Sequence, residues 1–463
     1  MKTTRDPRWG VLVAAEVFSA AIGFAVLIRS ARLLGPESFS AVEYAGAVAG
    51  VILVAVRGGV ETIAHREAAR RPRLIAPLTE ALLLVKLTLA AVGMLVVACL
   101  GFAGGRPAIA LVGGCLLIPA ALCLDVGPRA LGQLGVLAAV QAARAVGMGC
   151  AALLLVRGPA NALGAASCAA VAESVAAVAF AAIHVRRFGT PRPRIRLHAA
   201  WCLAAGGAVA SVCRLGRVFL YAADVLVLCA IATADAGIYA AGRRVVFAII
   251  GIAVVVPAAL GPILAAAWKD SGPDAARTLL ARSTTRLLGP AVAVALGLIL
   301  TAGGWMPILF GPSYRDGSSA LGVIAARLPL VLLAATVGTA LIALRREHES
   351  MRIVAASCAL ALVVVPIAAL LLGAIGAGAA MIIVELFAAA AGWIALGKIG
   401  AAPRSPTIEL HDLLGIVAMV AVVLVVGDRS VVLATALGGL TYGVVRMLAG
   451  RPLRSPILAE AAR

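Results

Sequence analysis

The strongest constraint on this chain is a series of apolar runs, each about as long as a membrane helix, with arginines gathered between them. A helix needs about 20 apolar residues to cross a hydrocarbon layer of roughly 30 Å. Such runs recur from Trp9 to Met447 and predict fourteen helices. They cover 9–31, 39–63, 79–102, 107–124, 131–156, 161–183, 200–231, 236–267, 279–302, 318–344, 352–372, 376–397, 409–426 and 430–448. A water-soluble domain is excluded: 63% of the 463 residues are hydrophobic and only 13% are charged, about half the usual charged fraction. The net charge is nevertheless +19. Both properties hold together only if the charges lie between the spans or inside a bundle. The expected fold class is an all-α polytopic membrane protein.

The connecting segments test this count. One set carries Lys2, Arg5, Arg8, Arg66, Arg70, Arg71, Arg73, Arg129 and the run Arg186 to Arg196. It continues with Lys269, Arg277, Arg282, Arg286, Arg345, Arg346, Arg352, Lys398, Arg404 and the basic tail. The other set holds only Arg29, Arg32, Arg106, Arg157, Arg315 and Arg429. Positive residues stay cytoplasmic, so both termini are expected inside. An error of one span would mix the two sets. Trp9, Trp201 and Trp268 fall at span ends on one side and Trp305 near the other, as in an interfacial belt. The nine cysteines form no CxxC pair and read as small buried hydrophobes. The five histidines fall in loops or near span ends, so no intramembrane metal cluster is expected. The basic N-terminus has no small-residue cleavage site and reads as leading into an uncleaved first helix.

The expected organisation is a six-span lobe at 1–183, a cytoplasmic linker at 184–199, a second six-span lobe at 200–399, and two extra spans with a basic tail at 400–463. The linker, HVRRFGTPRPRIRLH, is rich in Pro and Arg and is expected to be solvated and non-helical. An internal repeat supports two lobes. Leu163 to Glu173 reads LGAASCAAVAE and Ile375 to Glu385 reads IGAGAAMIIVE, with Gly second and Glu last in both. A weaker match pairs the region around Tyr44 with ADAGIYAAG around Tyr239. Two halves of equal orientation imply an axis along the membrane normal and a substrate path between them.

Four stretches carry a resemblance. They are RLLGPESFSAVEYAGAVAGVI (Arg32 to Ile52), YAADVLVLCAIATADAGIYAAGRRV (Tyr221 to Val245), ILFGPSYRDGSSALGVIAARLPL (Ile308 to Leu330) and GAIGAGAAMIIVE (Gly373 to Glu385). In order, they resemble segments of the polysaccharide flippases of the multidrug/oligosaccharidyl-lipid/polysaccharide exporter superfamily, whose architecture is MATE-like. The resemblance covers the first twelve spans. It implies two six-helix lobes around a central lumen. It further implies movement of undecaprenyl-diphosphate-linked oligosaccharide from the cytoplasmic to the periplasmic leaflet of the bacterial plasma membrane, by alternating access. The implied partners are the lipid-linked oligosaccharide, membrane lipids, glycosyltransferases and a polysaccharide polymerase. No nucleic-acid partner is expected, and the chain is expected to act as a monomer. Two other readings stay open: a lipid-linked peptidoglycan-precursor flippase, and a multidrug cation antiporter of the same superfamily.

No phosphate-binding GxxxxGK[ST], GxSxG or HExxH occurs, so transport rather than catalysis is expected, with no cofactor. Ionisable residues inside spans are expensive and mark functional positions. The seventh span carries Arg214, Arg217 and Asp224, whose steps of three and seven keep them in one stripe. Arg243 and Arg244 on the eighth span, Arg144 on the fifth and Arg327 on the tenth are expected to complete a cationic cavity. Guanidinium groups bind phosphate oxygens as a bidentate fork, which suits a diphosphate-linked sugar. Arg57 and Glu61, four residues apart, are expected to form an ion pair, with a gate as the alternative. Glu16, Glu173 and Glu385 either carry a coupling H+ or Na+ or neutralise the arginines. Pro119, Pro257 and Pro366 each free a backbone carbonyl inside a span and permit a bend.

Overall fold

A computed structural model describes residues 7–191, 197–231, 233–402, 408–427 and 429–449. Lys2, Arg5, Arg192, Arg194, Arg196, Arg404, Arg451, Arg454 and Arg463 of the basic segments lie outside these residues, as do the side chains of Arg8 and Trp9. The described chain is all helical, with no strand among its residues. The helices are α1 (Pro7–Arg70), α2 (Ile75–Ala103), α3 (Pro107–Gly114), α4 (Leu117–Ala121), α5 (Val126–Ala130), α6 (Leu134–Leu155), α7 (Ala162–Phe188) and α8 (Leu197–Ile231). They continue as α9 (Thr233–Ala253), α10 (Val255–Phe310), α11 (Ser318–Ala326), α12 (Leu328–Ala343), α13 (Glu347–Lys398), α14 (Leu410–Val426) and α15 (Val431–Ala449).

Each of the fourteen expected spans falls on these helices. Three pairs share one helical run that bends at a glycine. Gly35 (φ 72°) separates the first two spans within α1, and Gly272 (φ 79°) separates the eighth and ninth within α10. Each is followed by proline, Pro36 or Pro273. A left-handed glycine turns the chain and the proline restarts it with a preset φ. Gly373 separates the two spans of α13. Among the described residues, eight helical runs are long and apolar enough to cross a membrane. Their outer residues are bare apolar side chains such as Ile252, Leu371 and Leu448, each more than 70% exposed, which only a lipid solvent tolerates in such number.

Four expectations need correction at the level of local structure, one of them the tenth span, which Arg327 divides into α11 and α12. The linker does not begin at His184: α7 runs on to Phe188, with His184 buried and its ring 5.2 Å from that of Phe188. Arg186 and Arg187 in the last turn favour this extension by facing the negative end of the helix dipole. The fourth span is also not one helix. It is interrupted at Cys115–Leu116 and ends at Ala121, so Leu122 to Asp125 form an irregular link into α5. The eighth span is interrupted at Val254, three residues before Pro257, where a proline removes the backbone donor and crowds the preceding turn. Pro366 by contrast sits within continuous helix of α13.

By its internal contacts the chain forms two units, Met1–Gly237 and Ile238–Arg463. The seventh span, α8, therefore packs within the first unit, against α1. The approach is close because both faces are small. A Cβ on Gly207 would lie 2.7 Å from the backbone of Gly59 and Val60, and one on Gly237 would lie 1.9 Å from the carbonyl oxygen of Pro36. Small residues at helix crossings serve this purpose in lipid, where no hydrophobic force drives helices together. In the second unit α14 and α15 pack on the latter part of α10. Gly289 and Gly304 of α10 face Asp412 and Val431, and Trp305 Nε1 donates to Thr435 Oγ1 at 3.0 Å. Asp412 also accepts from Tyr442 at 2.7 Å and pairs with Arg446 at 3.3 Å, which ties the last two helices together.

Gly237→Ala forces the α9 start away from Pro36. The expected result is a loss of roughly 1–3 kcal/mol, measured as a lower thermal midpoint of the detergent-solubilised protein.

Candidate functional site: a charged cavity in the first unit

The first unit encloses a cavity of about 290 Å³. Four elements aim charged groups into it by helical periodicity. On α6, Leu137, Val140, Gln141 and Arg144 share one face through steps of three and four. On α7, Glu173, Ala176 and Phe180 do the same. Glu16, Arg57 and Glu61 come from α1, and Arg214 from α8. The irregular link after α4 adds Cys123 and Asp125, and α5 adds Arg129.

Glu173 is the centre of the charge pattern. It is 5% exposed, and each carboxylate oxygen takes one guanidinium: Oε2 pairs with Arg57, and Oε1 lies 3.4 Å from Arg144 Nη1. A second group lies beside it. Lys86 on α2 is 1% exposed and donates from Nζ to Glu61 Oε1 at 2.7 Å and to the Cys123 carbonyl at 3.2 Å. Asp125 accepts from Arg129 and lies 3.4 Å from His65 Nε2. Burial opposes ionisation of Asp125, but contact with His65 and the charges of Arg129 and Lys86 outweigh it. They hold the carboxyl well below the usual carboxylate range. Gln141 donates to Glu16 at 3.0 Å and to Ser19 at 3.3 Å. Arg214 is exposed on the cavity wall and has no ion-pair or hydrogen-bond partner among the described residues.

The expected pair of Arg57 with Glu61 is not formed. Gly58, with φ −45° and ψ −128°, breaks α1 between them, so they no longer share a regular helix face. Arg57 reaches Glu173 on α7 instead, and Glu61 reaches Lys86 on α2. The backbone donor freed by the break is satisfied across helices: Gly59 N–H donates to Ser211 Oγ of α8 at 2.8 Å. That bond sits one helical turn from Arg214 and holds α8 against the break.

The cavity thus brings together Arg144, Arg214, Arg57, Glu61, Glu16 and Glu173 from the expected set. Arg217 is half-buried and does not line it. Asp224 is wholly buried and accepts from the Val225 N–H at 2.8 Å. Arg243, Arg244, Arg327 and Glu385 belong to the second unit. There Arg327 donates to Glu385 at 3.1 Å, and Arg243 lies over the Phe247 ring at 4.4 Å, with Arg327 5.6 Å from the same ring. Arg243, Arg327 and Glu385 are all buried, and Arg244 is half-buried. Both repeat glutamates therefore hold arginines, one in a cavity and one among buried side chains.

Lys86, Asp125, Arg129, His65, Gln141 and Ser211 were not legible as site residues. Lys86 was detectable in principle, since it is the one lysine inside its apolar span. Asp125 and Arg129 depend on the break after α4, which no turn signal in Leu122 to Leu124 announces.

No protein-family model matches the sequence, and no curated protein matches it. Solved structures match the fold. The lipid II flippase MurJ in an inward closed conformation aligns with a TM-score of 0.72 over 95% of this chain and 98% of that chain, at 12% identity. An inward-facing multidrug resistance MATE family transporter of the MOP superfamily aligns at 0.64 over 83% and 95%, at 16% identity. The eukaryotic MATE transporter AtDTX14 aligns at 0.55 over 85% and 94%, at 13% identity. At these identities the likeness is one of fold: the chain has the all-helical membrane architecture that MurJ and the MATE transporters share.

Removing one partner of a buried pair leaves the other charge unsolvated, so Glu173→Ala is expected to destabilise the protein by roughly 3–5 kcal/mol. Arg144→Ala is expected to do much less, because Arg57 still holds the carboxylate. Ser211→Ala orphans the Gly59 donor and is expected to destabilise by about 1–3 kcal/mol. Thermal unfolding in one detergent ranks all three.

Proposed function

We propose that this chain is a transporter, not an enzyme, that moves undecaprenyl-diphosphate-linked oligosaccharide from the cytoplasmic to the periplasmic leaflet of the bacterial plasma membrane. It would do so by alternating access, for surface polysaccharide assembly, with fourteen crossings and both termini cytoplasmic. Arg214 carries this reading. It is an exposed guanidinium inside an apolar bundle, without a counter-ion among the described residues, on the wall of the cavity that holds Arg57 and Arg144. A charge left unpaired in such a place suits a ligand that brings its own anion. A diphosphate does so, and guanidinium geometry matches its oxygens. Arg57 and Arg144 keep about a quarter and a third of their side chains exposed, so both can turn to the same ligand. The polyprenyl tail would stay in lipid. Glycosyltransferases would supply the substrate and a polymerase would consume it.

A second reading is a peptidoglycan-precursor flippase. The likeness to MurJ, which spans nearly the whole of both chains, favours it. A carrier of organic cations suits the site less well, because such a ligand would meet Arg214 unscreened.

Deletion of the gene separates the readings. Loss of surface polysaccharide, with the diphosphate-linked oligosaccharide trapped on the cytoplasmic leaflet, is the expected outcome. Lethality with accumulated peptidoglycan precursor supports the second reading, and unchanged glycans with altered cation sensitivity overturns both. Arg214→Ala is expected to lower transport roughly 10–100-fold, the value of one charged hydrogen bond. Folding should be intact, because the side chain has no partner to lose among the described residues.

A further inference from the structure

The cavity wall divides into charges that hold one another and groups that are left open. Glu173 is held by Arg57 and Arg144, Glu61 by Lys86, and Asp125 by Arg129. Glu16 lines the same cavity and has no cationic partner among the described residues. Its hydrogen bond comes from an amide instead: Gln141 Nε2 donates to Glu16 Oε2 at 3.0 Å. The same nitrogen donates to Ser19 Oγ at 3.3 Å. Chemistry fixes the amide orientation, because a carboxylate only accepts and the nitrogen must face it. Two acceptors therefore stay open, Glu16 Oε1 and Gln141 Oε1, neither with a hydrogen bond among the described residues.

We infer that Glu16 and Gln141 form the subsite for the first sugar of the lipid-linked chain, an assignment that rests on the transport reading above and deepens it. The subsite takes a neutral, hydroxyl-bearing sugar and rejects an acidic one. Open acceptors need a ligand rich in O–H or N–H donors, and a pyranose presents several. A bond from a hydroxyl to a carboxylate is charge-assisted, about twice as strong as one between neutral groups. Gln141 holds one carboxylate oxygen in place, so the other is oriented before the ligand arrives. A uronic acid would bring its own carboxylate against Glu16, and like charges without a counter-ion repel.

Position supports the assignment. Gln141 stands three residues before Arg144 on the cavity face of α6, about 4.5 Å away along the helix axis. The first sugar is bonded directly to the diphosphate, so its hydroxyls lie within one ring of the phosphate oxygens that Arg144 and Arg214 are placed to hold. With those guanidiniums engaged by the diphosphate, a sugar carboxylate meets Glu16 unscreened. Leu12 and Leu137 also line the cavity, each four residues and so one helical turn from Glu16 and Gln141. They offer the C–H face of a pyranose an apolar surface beside the two acceptors. The cavity, at about 290 Å³, lies at the small end of ligand pockets, which start at roughly 300 Å³. It suits a diphosphate with its first sugar and not a whole oligosaccharide, so selection falls on that sugar.

The test is calorimetric titration of the purified full chain in nanodiscs with three geranyl diphosphate diesters: the methyl, the glucosyl and the glucuronosyl ester. The glucosyl ester is expected to bind about tenfold tighter than the methyl ester, the value of a hydrogen bond to a charged group. It should also bind about tenfold or more tighter than the glucuronosyl ester. E16Q removes the charge and keeps the shape. It is expected to bind the glucosyl and glucuronosyl esters alike and the methyl ester as the wild type does, which supports the assignment. A purely structural Glu16 would shift all three affinities together and leave their ratios unchanged, and that result overturns it. Wild-type protein that binds the glucosyl ester no tighter than either of the others also overturns it, while leaving the transport reading intact. This comparison needs no variant, so a folding defect in E16Q does not shield the idea. Failure of all three esters to bind sinks the transport reading itself, and the subsite with it.

Discussion

The arrangement of the first unit hangs on one carboxylate. Glu173 sits inside an apolar bundle where an unpaired charge is prohibitively costly, and it is held by arginines from two other helices, Arg57 on α1 and Arg144 on α6. Three helices are thereby registered to one another at one depth. Neither guanidinium is fully buried, so the pairing that holds the bundle together also faces open space. On the proposed reading, an anionic ligand would compete for the same donors. Structural cohesion and substrate capture would then draw on one set of side chains, and exchanging partners is a direct way to make binding change helix packing.

The helices reach these positions because the chain is small-sided and interrupted where it needs to be. Gly207 lets α8 touch the backbone of α1, and the break at Gly58 is tolerated because Ser211 takes the freed donor. Without that break, Arg57 would stay on the same helical face as Glu61. With it, each finds a partner on a different helix. The irregular link after α4 acts likewise, bringing Asp125 and Arg129 to the cavity wall. The RLLGPES stretch and the ADAGIYAAG stretch, far apart in sequence, meet where Gly237 lies against Pro36.

The two repeat glutamates show how similar sequences take different surroundings. Glu385 holds Arg327 among buried side chains, with both Arg327 and Arg243 against the Phe247 ring. Glu173 holds two arginines beside a cavity. The Arg327–Glu385 pair is buried, whereas Arg57 and Arg144 keep part of their side chains exposed beside Glu173.

Much of the architecture was legible without coordinates. Apolar length and arginine spacing are set by bilayer thickness and the cost of moving charge across it, so they mark spans directly in the sequence. The Gly-Pro steps at 35–36 and 272–273, where the chain turns inside α1 and α10, emerged only from the structure. The intramembrane charges Arg57, Arg144, Glu173 and Arg214 stood out for the same energetic reason. Their partners did not. Pairing depends on which helix faces which, on rotation about each axis and on small breaks such as Gly58, and these follow from packing between residues more than a hundred positions apart. Sequence spacing joined Arg57 to Glu61, whereas tertiary contact joined Arg57 to Glu173 and Glu61 to Lys86. Local energetics decided which residues must be in the membrane, and only the assembled bundle decided which of their charges are satisfied.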